Sequence, residues 1–155
     1  MKHALSIASG TVLILASCAG IAMASEKRVD FKDLPLPVRK TAQRESQGAT
    51  VRGYAKEVEN GKTEYEVEMT VAGKSRDVSI DPSGKVIEIE QQVALDSVPP
   101  AAMAAIRKEA GRDSIGNIEE AKSDAETAYE AQILSNGKQR QVRVHANGSA
   151  APEQD

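Results

Sequence analysis

The chain has 155 residues, 40% of them apolar and 28% charged, with a net charge of −3, four aromatic residues, two histidines and one cysteine. That length holds one domain or two very small ones, and the apolar fraction excludes an intrinsically disordered chain. The acidic balance, with no stripe of Lys or Arg, excludes nucleic acid and anionic lipid surfaces as partners.

The first element is an address. Lys2 and His3 precede an almost unbroken apolar and small-residue stretch, Ala4 to Ala24, which ends in Ala22-Met23-Ala24 before Ser25-Glu26-Lys27-Arg28. A basic start, an apolar middle and a small-x-small site form the layout of a secretory signal, so residues 1–24 are read as a signal peptide cleaved after Ala24. Leu15-Ala16-Ser17-Cys18 also resembles a bacterial lipobox, which would make Cys18 the lipidated first residue of an envelope-anchored protein. An uncleaved membrane-anchoring helix is a third reading, weakened by the serines and glycines that dilute the stretch. Each places the mature domain in the periplasm or outside the cell, with membrane contact only if the chain is anchored. Without the signal, His145 is the only histidine and no cysteine remains, so disulfides play no part.

Beyond the signal the chain matches itself at an offset of 64 residues, from Leu34–Gly84 onto Val98–Gly148, with ten identities in 51 positions. Seven of the ten fall between Thr63 and Val78, among them Tyr65 on Tyr129, Gly73 on Gly137 and Arg76 on Arg140. Two copies of one structural unit are expected, at 25–91 and 92–149, followed by a disordered tail at 150–155.

Each copy opens with a short helix, at Val38–Gln47 or Ala102–Ala110, capped by Asp33 or Ser97 and led by prolines, with Gly48 or Gly111 at its end. Strands follow. Tyr65-x-Val67-x-Met69-x-Val71 alternates strictly, as a half-buried strand does. Asn60-Gly61, Ala72-Gly73 and Asn136-Gly137 supply tight hairpin turns. The fold class is therefore α+β: two tandem units, each one short helix followed by a three- to four-stranded antiparallel sheet. The second unit's final strand is unclear beyond Asn147-Gly148.

A two-residue loop at Ala72-Gly73 pairs Met69 with Arg76 and Val67 with Val78 on the face toward the helix. The other face then carries Glu68 opposite Asp77, Glu66 opposite Ser79 and Glu64 opposite Asp81. In the second copy it carries Gln132 opposite Gln141 and Glu130 opposite Arg143. The first outer face is acidic and the second nearly neutral.

A helix opening on Leu-Pro or Val-Pro, then Tyr-Glu-Val-x-Met at 65–69, Gly73-Lys74, Val-x-Ile-Asp at 78–81 and Gly84, resembles the PepSY-like domain family, in its beta-lactamase-inhibitor-like branch. Tyr129, Glu130, Gly137, Lys138, Val142, Val144 and Gly148 carry the resemblance in a second, tandem copy, with His145 where the first has Asp81. The resemblance implies an extracytoplasmic, non-catalytic module that binds or inhibits an envelope hydrolase or peptidase.

Catalytic and metal-binding signatures are absent from the sequence: no Gly-x-Ser-x-Gly, no His-Glu-x-x-His, no phosphate loop, and a lone His145 without a partner. No enzyme, metal or cofactor is expected. The candidate binding residues are the acidic row Glu64, Glu66, Glu68, Asp77 and Asp81. The expected partner is another envelope or secreted protein; the alternative is a small-molecule or divalent-ion sensor using that row.

Overall fold

The computed structural model describes residues 27–59 and 61–152. The segment read as a signal, with Cys18 and Ala24, lies outside the described residues, as do Asn60 and the last three residues of the tail.

Eight strands run in chain order across one antiparallel sheet: β1 Lys27–Arg28, β2 Thr50–Glu59, β3 Lys62–Val71, β4 Lys74–Ile80, β5 Val86–Gln92, β6 Ser114–Ser123, β7 Thr127–Ser135 and β8 Lys138–His145. The helices are α1 Leu36–Glu45 and α2 Pro100–Ala110. This corrects the expectation of two tandem helix-plus-sheet units: the described residues are mostly β, a single sheet carrying two short α-helices. The reason lies in β5, which pairs with β4 on one side and with β6 on the other, from Glu88↔Ser123 to Gln92↔Glu119. Two separate sheets would each leave a row of backbone donors and acceptors unpaired at this junction, and fusing them removes both edges.

The junction obeys the same offset as the sequence. Gln92 faces Glu119 as Arg28 faces Ala55, 64 positions earlier, so the end of β5 holds toward β6 the place β1 holds toward β2. At the far edge the strand corresponding to β5 shrinks to one bridge, Val144↔Ala150, the counterpart of Ile80↔Val86.

Pairing within β3–β4 follows the expected register, Met69↔Arg76, Val67↔Val78 and Tyr65↔Ile80. Ala72 and Gly73 both take positive φ, 49° and 81°, as do Asn136 and Gly137, which suits the right-handed twist of a two-residue hairpin. Between β4 and β5 the register slips by one residue at Ser79/Ile80, a bulge that bends the sheet.

Both helices start two residues earlier than expected, and neither Asp33 nor Ser97 caps one. Pro35 and Pro99 occupy the N-cap positions, and prolines in the first turn lack the N–H groups a cap would satisfy. At the other end, Arg76 donates to the Glu45 carbonyl at 3.2 Å and Arg140 to the Glu109 carbonyl at 2.6 Å. These arginines bring positive charge to the carbonyl ends of the helices, where the helix dipole favours it.

The core is two clusters on the helix side of the sheet. One gathers Val38, Ala42, Val67, Met69, Val78 and Ile80; the other is built on Ala102, Ile106, Ile118, Ala131 and Ile133. Full burial of each Val, Ile or Met is worth about 1.5–3 kcal/mol, which is what holds helices this short on the sheet. Tyr65 packs against the first cluster and Tyr129 belongs to the second.

Candidate functional site: the open sheet face

Strand alternation sends every second side chain to the face opposite the helices. From β3 to β8 that face presents Glu64, Glu66 and Glu68, then Asp77, then Glu88 and Glu90, then Glu119, Glu130 and Arg143, adjacent strands being held in register. The acidic row thus extends through β5 into the second half, which hairpin alternation alone marked as nearly neutral.

The carboxylates are held in place. Arg28 reaches Glu68 at 2.7 Å, across Gly53, whose missing side chain leaves room for the guanidinium. Arg52 meets Asp77 at 2.6 Å, and Asp77 also accepts from the Met69 amide at 3.3 Å. Burial nonetheless raises the Asp77 pKa, working against Arg52. Ser75 donates its hydroxyl to Glu119. Glu64 and Glu66 lie half-buried on the same face.

Arg143 is the hub. Its guanidinium touches Glu88 at 2.6 Å, Glu130 at 3.5 Å, Glu126 at 3.7 Å and Glu90 at 3.9 Å. Burial opposes its charge, but Glu88, Glu130 and Glu90 outweigh that and push its pKa up. One cation among four carboxylates leaves an excess of negative charge in a largely buried place, and the neighbours respond. Glu130 is raised by burial in spite of Arg143. Glu90 is pushed up to about 9 by burial first, then by Glu130, Glu88, Glu119 and Glu66. A group that titrates so high holds its proton at neutral pH, which relieves the crowding.

Asp81 stands apart from the row. β4 ends at Ile80, and Asp81 instead closes its own turn, accepting from the amides of Ser83 at 2.8 Å and Lys85 at 3.0 Å. The Ser83 hydroxyl and these amides hold its pKa low, outweighing the small opposing effect of burial. His145 sits at the end of β8 with Nδ1 at 3.6 Å from Glu126. Among the described residues no group of three or more His, Cys, Asp or Glu is arranged to hold a metal ion, and no helix is long and apolar enough to cross a membrane.

Sequence reasoning placed Arg143 opposite Glu130, as found, but marked neither it nor Glu88, Glu90 and Glu119 as site residues. Glu88-Ile89-Glu90 did carry the alternation of an exposed-face pair, but only the long-range pairing of β5 with β6 shows what it faces.

Eight antiparallel strands in sequential order, with two helices on one face, define a class that solved structures share. A protein from Bacteroides eggerthii assigned to the periplasm superposes with a TM-score of 0.59 at 17% identity, over 77% of this chain and 87% of that one. A BLIP-like protein from Bacteroides fragilis gives 0.52 at 14% identity, over 77% and 84%. A DUF2874 family protein from Bacteroides uniformis gives 0.57 at 15% identity, over 76% and 86%. The chain thus shares its fold with these proteins, and the periplasmic assignment of the first neighbour agrees with the extracytoplasmic location expected from the N-terminal segment. No sequence-family model and no curated protein matches the chain.

Proposed function

We propose that the protein is an extracytoplasmic, non-catalytic, PepSY-like binding module whose open sheet face docks another envelope or secreted protein, inhibiting or regulating an envelope hydrolase or peptidase. On this reading residues 1–24 direct export, with cleavage after Ala24 or lipid attachment at Cys18, and residues 25–149 form the module. One observation carries it: a sheet face that no helix among the described residues covers, where half-buried Glu64, Glu66 and Glu119 lie beside carboxylates fixed by Arg28, Arg52 and Arg143. Fixed charges lose little side-chain freedom on docking and select partners by complementary potential. The likeness of fold to a BLIP-like protein supports a protein-binding reading. The ion-sensor alternative draws less support, because the carboxylates are engaged by arginines.

The test immobilises the mature protein and a doubly reversed variant, Glu66→Lys with Glu119→Lys, against envelope extract. A protein retained in stoichiometric amount by the native chain and lost from the variant, with both chains folded by circular dichroism, is the expected result. No such protein, or equal retention by both, would refute docking through this face.

A further inference from the structure

At one end of the open face lies a cleft of about 680 Å³. One wall is Lys62 to Glu64, at the start of β3; the other is Ala125 and Glu126, in the turn between β6 and β7, together with Pro152. Pro82, from the β4–β5 connection, and Ile87, in β5, line it between them. The walls therefore belong to opposite halves of the chain, and only the pairing of β5 with β6 brings them together. A salt bridge from Lys85 to Asp124, at 2.6 Å, ties the β4–β5 turn to the β6–β7 turn beside the cleft.

Its chemistry is divided. Ile87, Pro82, Ala125 and Pro152 give apolar surface, while Glu64, Glu126 and Asp81 outnumber the single cation Lys62. Asp81 stays ionised, since the hydrogen bonds of its turn hold its pKa low. Glu126 meets Arg143 and His145 only at 3.7 and 3.6 Å, distances beyond a good hydrogen bond, so an incoming cation can draw it closer. The volume lies within the range of ligand-binding clefts, about 300–1,000 Å³.

We propose that this cleft receives a short extended segment of the docked protein, apolar in its flanks and carrying one lysine or arginine whose charged head meets Glu126 and Glu64. This rests on the docking reading above and adds the identity of the segment's key residue. The apolar flanks lie on Ile87 and Pro82, and the long stem of the basic side chain lets its charge reach the rim while its methylenes stay on that surface. An acidic segment is repelled by the same rim.

The probe is a fluorescein-labelled, end-blocked peptide, Val-Pro-Lys-Val-Ile-Gly, compared with its Lys→Glu counterpart, with fluorescence anisotropy for affinity and 15N NMR for position. The lysine peptide is expected to bind, to shift the amides of Thr63, Ile87 and Ala125, and to weaken as salt rises. Two substitutions should each lower affinity at least tenfold without loss of fold: Ala125→Trp, which fills the cleft, and Glu126→Gln, which removes the rim charge. No binding of the lysine peptide, equal binding of both peptides, or undiminished binding to Ala125→Trp would overturn the inference. If the envelope partner is still lost on reversing Glu66 and Glu119, the docking face stands while the cleft assignment alone falls.

Discussion

Arg143 on β8 and Glu88 on β5 lie fifty-five residues apart in sequence, yet their side chains meet at 2.6 Å and each is only 3% exposed. They span β6 and β7, so the pair ties the two halves of the sheet across its open face. The Nε of Arg143 is buried without a hydrogen-bond partner, which leaves the guanidinium committed entirely through its two terminal nitrogens.

Removing one member strands the other's charge in a dry place, which typically costs about 3–5 kcal/mol. Arg143→Met is therefore expected to lower the urea midpoint sharply. Adding Glu88→Gln to it should recover a large part of the loss, because the most deeply buried of Arg143's partners then carries no charge. Simple additivity of the two single effects in urea unfolding would show that the pair is not coupled.

Glu90 provides a pH dependence. Its pKa of about 9 in the folded chain stands above the ~4.3 of an unfolded glutamate, so between those values the folded chain keeps a proton that the unfolded chain releases. Its contribution to stability is fully present below about pH 4 and is lost as pH rises toward 9, by at most about 1.4 kcal/mol per pH unit. Glu90→Gln, which cannot ionise, should gain on the native chain steadily from pH 5 to pH 9. A stability difference that stays constant over that range, measured by urea unfolding, would contradict the raised pKa.

The turns that seat the helices make a third prediction. Gly84 has φ +90° and a Cβ there would lie 2.8 Å from the Pro37 carbonyl oxygen; Gly148 has φ +81° and would meet the Ala101 oxygen at 2.6 Å. Gly73 shares the positive φ of +81° but has open space around it. Gly84→Ala and Gly148→Ala must therefore strain the backbone and displace the first turn of a helix, for about 2–4 kcal/mol each, against about 1 kcal/mol for Gly73→Ala. Thermal melts in which Gly73→Ala is as damaging as the other two would dismiss the helix contact as the cause.

These particulars show what was legible beforehand. The register of β3 with β4 could be read because a two-residue turn leaves no freedom to slide, and a slip of one would expose Val67 and Met69. The row Glu64, Glu66 and Glu68 followed from the same alternation. Asp81 did not belong to it, because parity says which face a residue takes only while the strand lasts, and Pro82 ends it. The pairing of β5 with β6 was hidden for a different reason: the helix α2 and its connections separate them, and no local pattern names a strand's second neighbour. Arg143 depended on that pairing, since a charge is buried by what surrounds it in space.

One feature of the fold bears on solubility. β8 is an edge strand, and the chain doubles back to pair with only its last residues, through the Val144↔Ala150 bridge and the Ala151 amide donating to the Arg143 carbonyl. The remainder, Lys138-Gln139-Arg140-Gln141, stays exposed, with two cations and two amides along it. Lysine and arginine on a bare edge resist stacking against an identical edge, since like charges would be brought within strand spacing. A sheet that absorbs one junction by joining β5 to β6 has the means to add further strands from other molecules, and this short basic stretch works against such an addition.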